Sequence, residues 1–358
     1  MSLINKYRPK LFKEVKGQDI IVSTLIKSIK NNKLHNAYLF AGKYGTGKTT
    51  LARLFAKGIN CLNFDKDLCG KCVACSDKQN NFDIIELDAA SNRGIDEIRK
   101  IKMDSGLLPF NLKYKIYIID EAHQLTSQAS NAFLKTLEEP TSKTKFIFCT
   151  TEPNKLLATI KSRCLPFYLK PIRFTDIKNR LEVIVEKEGY KVKDSRILFS
   201  IAERSNNTLR DAVNYLDLCI QKIPEDKYLT LKIIEEALNL IDDDNVFTLL
   251  DYLVAGNRKK FFATLNVLIK NGKSYEDIVG ILQHQAKEII FVKMDIAQSI
   301  NPYKLKLIKE KSYSISTLVK ILDTLIKTNS KITGFVNPKD FSELAFLKIL
   351  LDSKKNNI

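Results

Sequence analysis

Gly42-Lys43-Tyr44-Gly45-Thr46-Gly47-Lys48-Thr49 satisfies the pattern G-x-x-x-x-G-K-T, and its flanks place it between a strand and a helix. Before it stands the apolar run Ala37-Tyr38-Leu39-Phe40. After it, Leu51, Leu54 and Phe55 recur at helical spacing. Glycines let successive backbone N–H groups curl round a phosphate, and the following helix N-terminus adds favourable potential for an anion. In such a loop Lys48 reaches the β- and γ-phosphates and the Thr49 hydroxyl ligates magnesium. Gly42, Gly45, Thr46, Gly47, Lys48, Thr49 and Thr50 are therefore the candidate contacts for ATP and Mg2+. A chance glycine-rich turn would not bring strand, loop and helix into this register.

Working outward, four more β-rich runs precede residue 170: Ile84-Ile85-Glu86-Leu87, Ile116-Tyr117-Ile118-Ile119, Phe146-Ile147-Phe148-Cys149 and Pro166-Phe167-Tyr168-Leu169. Near-continuous apolar strands alternating with helical patterns predict an α/β domain, a parallel sheet with helices on both faces. The run ending at Ile119 is followed by Asp120-Glu121, the acidic pair that a phosphate loop needs beside it. Asp120 would hold the magnesium shell and Glu121 would polarise the attacking water. Asp120-Glu121-Ala122-His123 also spells the signature of a class of RNA helicases. Those enzymes require a second RecA-like lobe, whereas the pattern after residue 171 is helical throughout.

That helical part reads as two pieces. Ile177, Leu181, Ile184 and Val185, then Ile197, Leu198 and Ile201, then Leu209, Val213, Leu216 and Ile220 predict three amphipathic helices, with Pro224 and Asp226 punctuating the next turn. From about Asp242 onward the stripes include Leu249, Leu250 and Leu253; Phe261, Phe262, Leu265, Leu268 and Ile269; and Leu344, Leu347 and Leu351. Ser274 with Asp277 three residues later, just before Ile278, predicts a capping box. The expected division is 1–170, 171–241 and 242–358.

The 358 residues carry 58 Lys and Arg against 41 Asp and Glu, a formal charge of +17 that favours a polyanionic partner, nucleic acid first among them. No apolar run approaches membrane-spanning length and the start lacks a signal-peptide core, so the expected location is the cytoplasm, with no membrane partner. Cys149, Cys164 and Cys219 are scattered as inert core thiols would be. The three histidines (His35, His123 and His284) have no catalytic context. Cys61, Cys69, Cys72 and Cys75 fall in one short segment, with Gly70 and Lys71 suited to the tight loop between ligands. C-x2-C-x2-C with a fourth thiol eight residues upstream suits a tetrahedral zinc site; an iron–sulfur cluster and unliganded thiols are the alternatives.

Several strings resemble clamp-loader AAA+ ATPases. Lys6-Tyr7-Arg8-Pro9, Phe12, Val15 and Gly17-Gln18 are similar to the N-terminal signature that packs near the adenine in that family. Thr150-Thr151-Glu152-Pro153-Asn154-Lys155 resembles its sensor 1 region, with Thr151 the sensing residue. Ser162-Arg163-Cys164 is similar to the motif whose arginine enters a neighbouring subunit's ATP site. Thr208-Leu209-Arg210-Asp211-Ala212 resembles the sensor 2 helix, whose arginine reaches the γ-phosphate. Leu137-Glu138-Glu139-Pro140 and Asp88-Ala89-Ala90-Ser91-Asn92 are further similar strings. An arginine supplied in trans would tie hydrolysis to subunit contact. Where the family has glycine and serine before Leu-Arg-Asp-Ala, this chain has Asn207-Thr208; asparagine is the next best residue for a left-handed helix end, so the sensor 2 geometry is expected to survive.

A four-cysteine zinc module beside a working phosphate loop resembles the bacterial DNA polymerase III gamma/tau subunits. The resemblance implies a RecA-like AAA+ domain, a three-helix lid and an all-α collar that oligomerises, with structural zinc at Cys61, Cys69, Cys72 and Cys75. It implies an ATP hydrolase that opens the ring-shaped sliding clamp (the beta subunit) and loads it on primer–template DNA, without a polymerase site of its own. Implied partners are delta, delta-prime and further gamma/tau copies. Lys48, Asp120, Glu121, Thr151 and Arg210 would act in cis and Arg163 in trans, while Arg93 or Lys100 are guesses for DNA contact. The chain stops at Ile358, so a short gamma-like form is expected. A nucleotide-sensing AAA+ scaffold and a Holliday-junction-type DNA motor are the rival readings.

Overall fold

The computed structural model describes residues 2–76, 82–92, 94–138, 143–194, 196–223, 227–238, 243–296, 302–332 and 337–355. Five parallel strands form the central sheet: β1 (Ala37–Ala41), β2 (Ile84–Asp88), β3 (Lys115–Asp120), β4 (Thr144–Thr150) and β5 (Leu165–Tyr168), in the order β2-β3-β4-β1-β5. Every strand direction agrees with the expected α/β class.

The apolar runs lack polar alternation because both faces of the sheet are covered. Leu39, Tyr117, Ile119, Phe146 and Phe148 point to one face, where they meet Ile98 and Ile101 of α3 (Ile95–Ser105) and Ala129 and Phe133 of α4 (Ser127–Glu138). Their sequence neighbours Tyr38, Phe40, Ile116, Ile118 and Ile147 point to the other. There they pack on Leu25 of α1 (Asp19–Lys30) and on Leu51, Leu54 and Phe55 of α2 (Lys48–Asn60). Alternate residues of each strand thus feed two cores, the period-2 rule applied twice. The C-terminal ends of β1, β3 and β4 lie together, which is where a doubly covered parallel sheet presents its ligand crevice.

The chain divides into two compact units, residues 1–228 and 229–358. The first contains the sheet and three further helices, α5 (Phe174–Lys187), α6 (Arg196–Arg204) and α7 (Leu209–Ile220). Ile177, Leu181, Ile184, Ile197, Leu198, Ile201 and Leu216 are buried, as their spacing predicts. Strand structure does not end at 171, however. The two-residue strands Lys191–Val192 and Tyr228–Leu229 form a small ribbon, with the Lys191 N–H donating to the Lys227 carbonyl at 2.9 Å. Two residues are too few for a periodic signal to register. Pro224 and Asp226 lie outside the described residues.

The second unit is helical: α8 (Leu231–Leu238), α9 (Asp243–Val254), α10 (Arg258–Lys270), α11 (Tyr275–Lys293), α12 (Pro302–Glu310), α13 (Ile315–Ile332) and α14 (Pro338–Lys355). Its core joins Leu249, Leu250 and Leu253 with Phe261, Leu265, Val279, Leu282, Leu325 and Phe346. The capping box is present: Ser274 Oγ accepts from the Asp277 N–H at 3.0 Å and Asp277 Oδ2 accepts from the Ser274 N–H. One expected stripe is wrong. Leu344, at 65% exposure, and also Leu347 and Leu351 face solvent, while Ala345, Phe346, Ile349 and Leu350 carry the buried side of α14. This helix is apolar on most of its circumference, so its spacing does not choose a face.

Candidate functional site: a nucleotide pocket and a cysteine cluster

The loop between β1 and α2 owes its shape to backbone freedom. Gly45 (φ +74°) and Gly47 (φ +98°) occupy the left-handed region, and a methyl on Gly45 would sit 2.7 Å from Thr208 Cβ. Lys48, 5% exposed, donates from Nζ to the Gly42 and Lys43 carbonyls at 3.0 and 3.1 Å. Burial pushes its ammonium pKa down, against the opposing pull of Glu121 and Asp120. An ammonium kept partly dry beside two carboxylates is poised to meet phosphate charge.

Around this loop lies a cavity of about 250 Å3. Of the expected residues, Tyr7, Arg8, Pro9, Val15, Gly45, Thr46, Gly47, Lys48, Thr49, Thr50, Asp120, Glu121 and Arg210 line it. The Thr49 hydroxyl donates to Asp120 Oδ2 at 2.7 Å, so the last residue of β3 and the first turn of α2 present two hard oxygens side by side. That donor set suits Mg2+, which prefers one or two protein oxygens and keeps several waters. Thr151 stands just behind the wall and donates to Glu121 Oε2 at 3.0 Å.

Not every expected residue reaches the cavity. Gly42 is tucked against Leu169, where an added methyl would lie 2.8 Å from the carbonyl oxygen. The Gln18 amide grips the Lys170 backbone in both directions, donating to its carbonyl and accepting from its N–H, and Gly17 packs on Ile172. These two hold the wall rather than form it. Arg163 lies away from its own chain's cavity: it pairs with Glu138 and donates to the Thr159 carbonyl at 2.8 Å. Lys100 pairs with Glu97 on the surface of α3, and Arg93, Glu139 and Pro140 lie outside the described residues.

The cavity also contains residues that the sequence did not single out. Tyr44 stacks under the Arg210 guanidinium, 4.8 Å from its carbon, and accepts a hydrogen bond from it. Arg180 of α5 donates to the Tyr7 carbonyl at 2.7 Å, and the Tyr7 hydroxyl donates to Glu188, so burial and that carboxylate push its pKa up to about 12. Arg53 and Glu86 form a two-pronged pair with both contacts at 2.6 Å. A signal existed for Arg53, which falls four residues after Thr49 and hence on the same helix face. None existed for Arg180, whose partner is 173 positions away. Asn207 takes φ +64°, the left-handed conformation expected of it. Thr208 then caps α7 by accepting from the Asp211 N–H at 3.2 Å, which delivers Arg210 to the cavity.

At the other end of α2, Cys61 terminates the helix and joins Cys69, Cys72 and Cys75 with all four sulfurs within 4.8 Å of one another. Two sulfur pairs stand at 3.9 Å. Four sulfurs at about 2.3 Å from one tetrahedral ion would be about 3.8 Å apart, so the spacing fits a single zinc. Gly70 (φ +70°) turns the chain so that the Cys72 N–H points at Cys69 Sγ, 3.4 Å away. The N–H groups of Lys71 and Cys72 draw the Cys69 thiol down to about 6, while burial raises Cys61 and Cys75.

A family model described as DNA polymerase III, delta subunit, matches residues 17–173, less than half of the chain. Over its full span the chain is 34% identical to the DNA polymerase III subunit gamma of Buchnera aphidicola subsp. Schizaphis graminum, covering 99% of both proteins. The chain belongs to the DNA polymerase III gamma/tau family. It is 40% identical to the gamma/tau subunit of Mycoplasma genitalium over 75% of its own length, and 35% identical to the tau subunit of Escherichia coli over 79%. In each case the match spans 45% of the longer relative. Among solved structures, the Thermotoga maritima RuvB Holliday junction branch migration motor aligns with 69% of this chain and 79% of that one, at TM-score 0.52 and 17% identity. At that identity the likeness establishes the AAA+ fold alone. No described helix is long and apolar enough to cross a membrane.

Proposed function

We propose that this gamma/tau-family chain is an ATP-hydrolysing motor subunit of a bacterial clamp loader. One observation carries the reading: Lys48 and Thr49, Asp120 and Glu121, and Arg210 come from three separate segments and converge on one cavity. A site that only held nucleotide would not need a carboxylate like Glu121 beside the phosphate end. Thr49 and Asp120 would hold a magnesium ion, which would supply charge neutralisation at the phosphates. Lys48 and the loop N–H groups would bind and orient the β- and γ-phosphates, and Glu121, braced by Thr151, would orient water against the γ-phosphate. Arg210 would close over it from α7.

Arg163, absent from its own cavity, would complete a neighbour's site after leaving Glu138. Residues 1–170, 171–241 and 242–358 would then act as AAA+ domain, lid and oligomerising collar, with delta, delta-prime and further gamma/tau copies as neighbours. The +17 charge suits a DNA-facing surface, and the sliding clamp is the protein substrate. Zinc at the four cysteines would be structural, because four thiolates leave no open coordination position.

The test is ATP hydrolysis and clamp loading by the reconstituted loader, with and without clamp and primed DNA. Stimulation by both, lost on Lys48→Ala, is the expected result. Clamp loading that survives Lys48→Ala would remove the motor reading, and a stimulated rate indifferent to Arg163→Ala would remove the trans assignment.

A further inference from the structure

His123 carries no role by its sequence context, yet its side chain is only 5% exposed and sits among the residues that hold Glu121. Glu121 itself is a non-glycine residue in the left-handed region (φ +47°), a conformation that persists only where the surroundings impose it. Its carbonyl accepts from the Gln124 N–H at 2.8 Å, closing the short 3-10 turn Ala122–Gln124 and folding His123 back over Glu121. His123 Nδ1 then lies 3.0 Å from Thr150 Oγ1 and 3.4 Å from Glu121 Oε2. At the far side of the ring, the Gln124 amide nitrogen is 3.1 Å from Nε2, and Glu152 is 3.6 Å away. An amide NH2 can only donate, so Nε2 accepts and Nδ1 carries the proton. The ring thereby presents an N–H to Thr150 Oγ1, with Glu121 Oε2 alongside at 3.4 Å.

Glu121 Oε2 thus accepts from the Thr151 hydroxyl and lies 3.4 Å from the His123 ring nitrogen. Glu121 lines the cavity whereas Thr151 and His123 do not, so both hold Oε2 from outside the cavity lining. We propose that His123 is a positioning residue for ATP hydrolysis, orienting the Glu121 carboxylate from behind together with Thr151. It is not among the residues that line the cavity. The Glu152–Lys155 pair, with its closest contact at 2.8 Å, extends the same chain of contacts from Glu121 to the protein surface. The proposal rests on the reading of Glu121 as the water-orienting carboxylate.

The experiment compares His123→Ala, His123→Asn and Glu121→Gln in the reconstituted loader with clamp and primed DNA. It measures single-turnover ATP hydrolysis and ATP affinity, with thermal unfolding of each purified chain as the folding control. The expected result for His123→Ala is at least a tenfold loss of turnover with ATP affinity held within about twofold. For His123→Asn, whose amide nitrogen can take the place of Nδ1, turnover recovers to within about threefold of the parent. Unchanged turnover in His123→Ala overturns the proposal, as does an asparagine variant no better than alanine, or a loss that appears in affinity rather than turnover. Turnover that persists in Glu121→Gln refutes the reading of Glu121 itself. Loss in Glu121→Gln beside normal His123→Ala refutes only the role of His123.

Discussion

Helix α2 carries a candidate site at each end, and the two are built in opposite ways. At its N-terminus the ligand-facing atoms are largely backbone, shaped by Gly45 and Gly47 at positive φ and completed by Lys48 resting on the loop's own carbonyls. At its C-terminus the ligand-facing atoms are four half-buried side-chain sulfurs, in a short segment that Phe64 and Leu68 anchor to the core. The first site is a feature of the folded sheet. On the zinc reading, the second would depend on its ion, because thiols gathered this closely repel when ionised. One end of the helix should therefore lose chemistry when altered, and the other should lose local structure.

The largest expected effect lies at the first end. Lys48→Ala should lower stimulated ATP hydrolysis at least about a hundredfold, since the ammonium stabilises transferring phosphoryl charge, while thermal unfolding changes little. A comparable fall in unfolding temperature would break the contrast. Next comes removal of the metal: chelation, or Cys72→Ala, should release one zinc per chain and expose the 61–75 segment to protease, with ATP affinity shifting by less than about threefold. Metal analysis and limited proteolysis read this directly, and loss of ATP binding in step with zinc would show that the two ends are one unit.

Smaller changes sharpen the comparison. Gly45→Ala forces a Cβ into the left-handed region and against Thr208, and should weaken ATP binding about tenfold by titration. Thr208→Ala removes the cap of α7 at a cost of about 1 kcal/mol, visible as a modestly lower unfolding midpoint. Its effect on ATP affinity should be the weaker of the two, because Arg210 can still reach the cavity through Leu209 and its own helix.

The residues divide by how local their signal is. Five strands, the loop at Gly42–Thr49, the capping box at Ser274 and the left-handed Asn207 were all legible, because each depends on neighbours within a few positions. Four cysteines at metal-ligand spacing were legible for the same reason. Leu344, Leu347 and Leu351 were misread because a helix apolar on most sides does not encode which side is covered. Arg180 and Tyr44 were missed because their roles come from partners 173 and 166 positions away.

His123 marks the boundary most clearly. The order Asp120-Glu121-Ala122-His123 was plain in the sequence and suggested nothing for the histidine, since spacing along a strand end does not specify which way a turn folds. The sequence alone determined that a phosphate loop, an acidic pair and a thiol cluster exist, because those depend on residue type at short range. Only the tertiary structure decided that Thr151 and His123 both reach Glu121 Oε2, that Arg163 lies away from its own cavity and that Tyr44 stacks on Arg210. Those are outcomes of long-range packing, where contact is set by how the strands and helices come together.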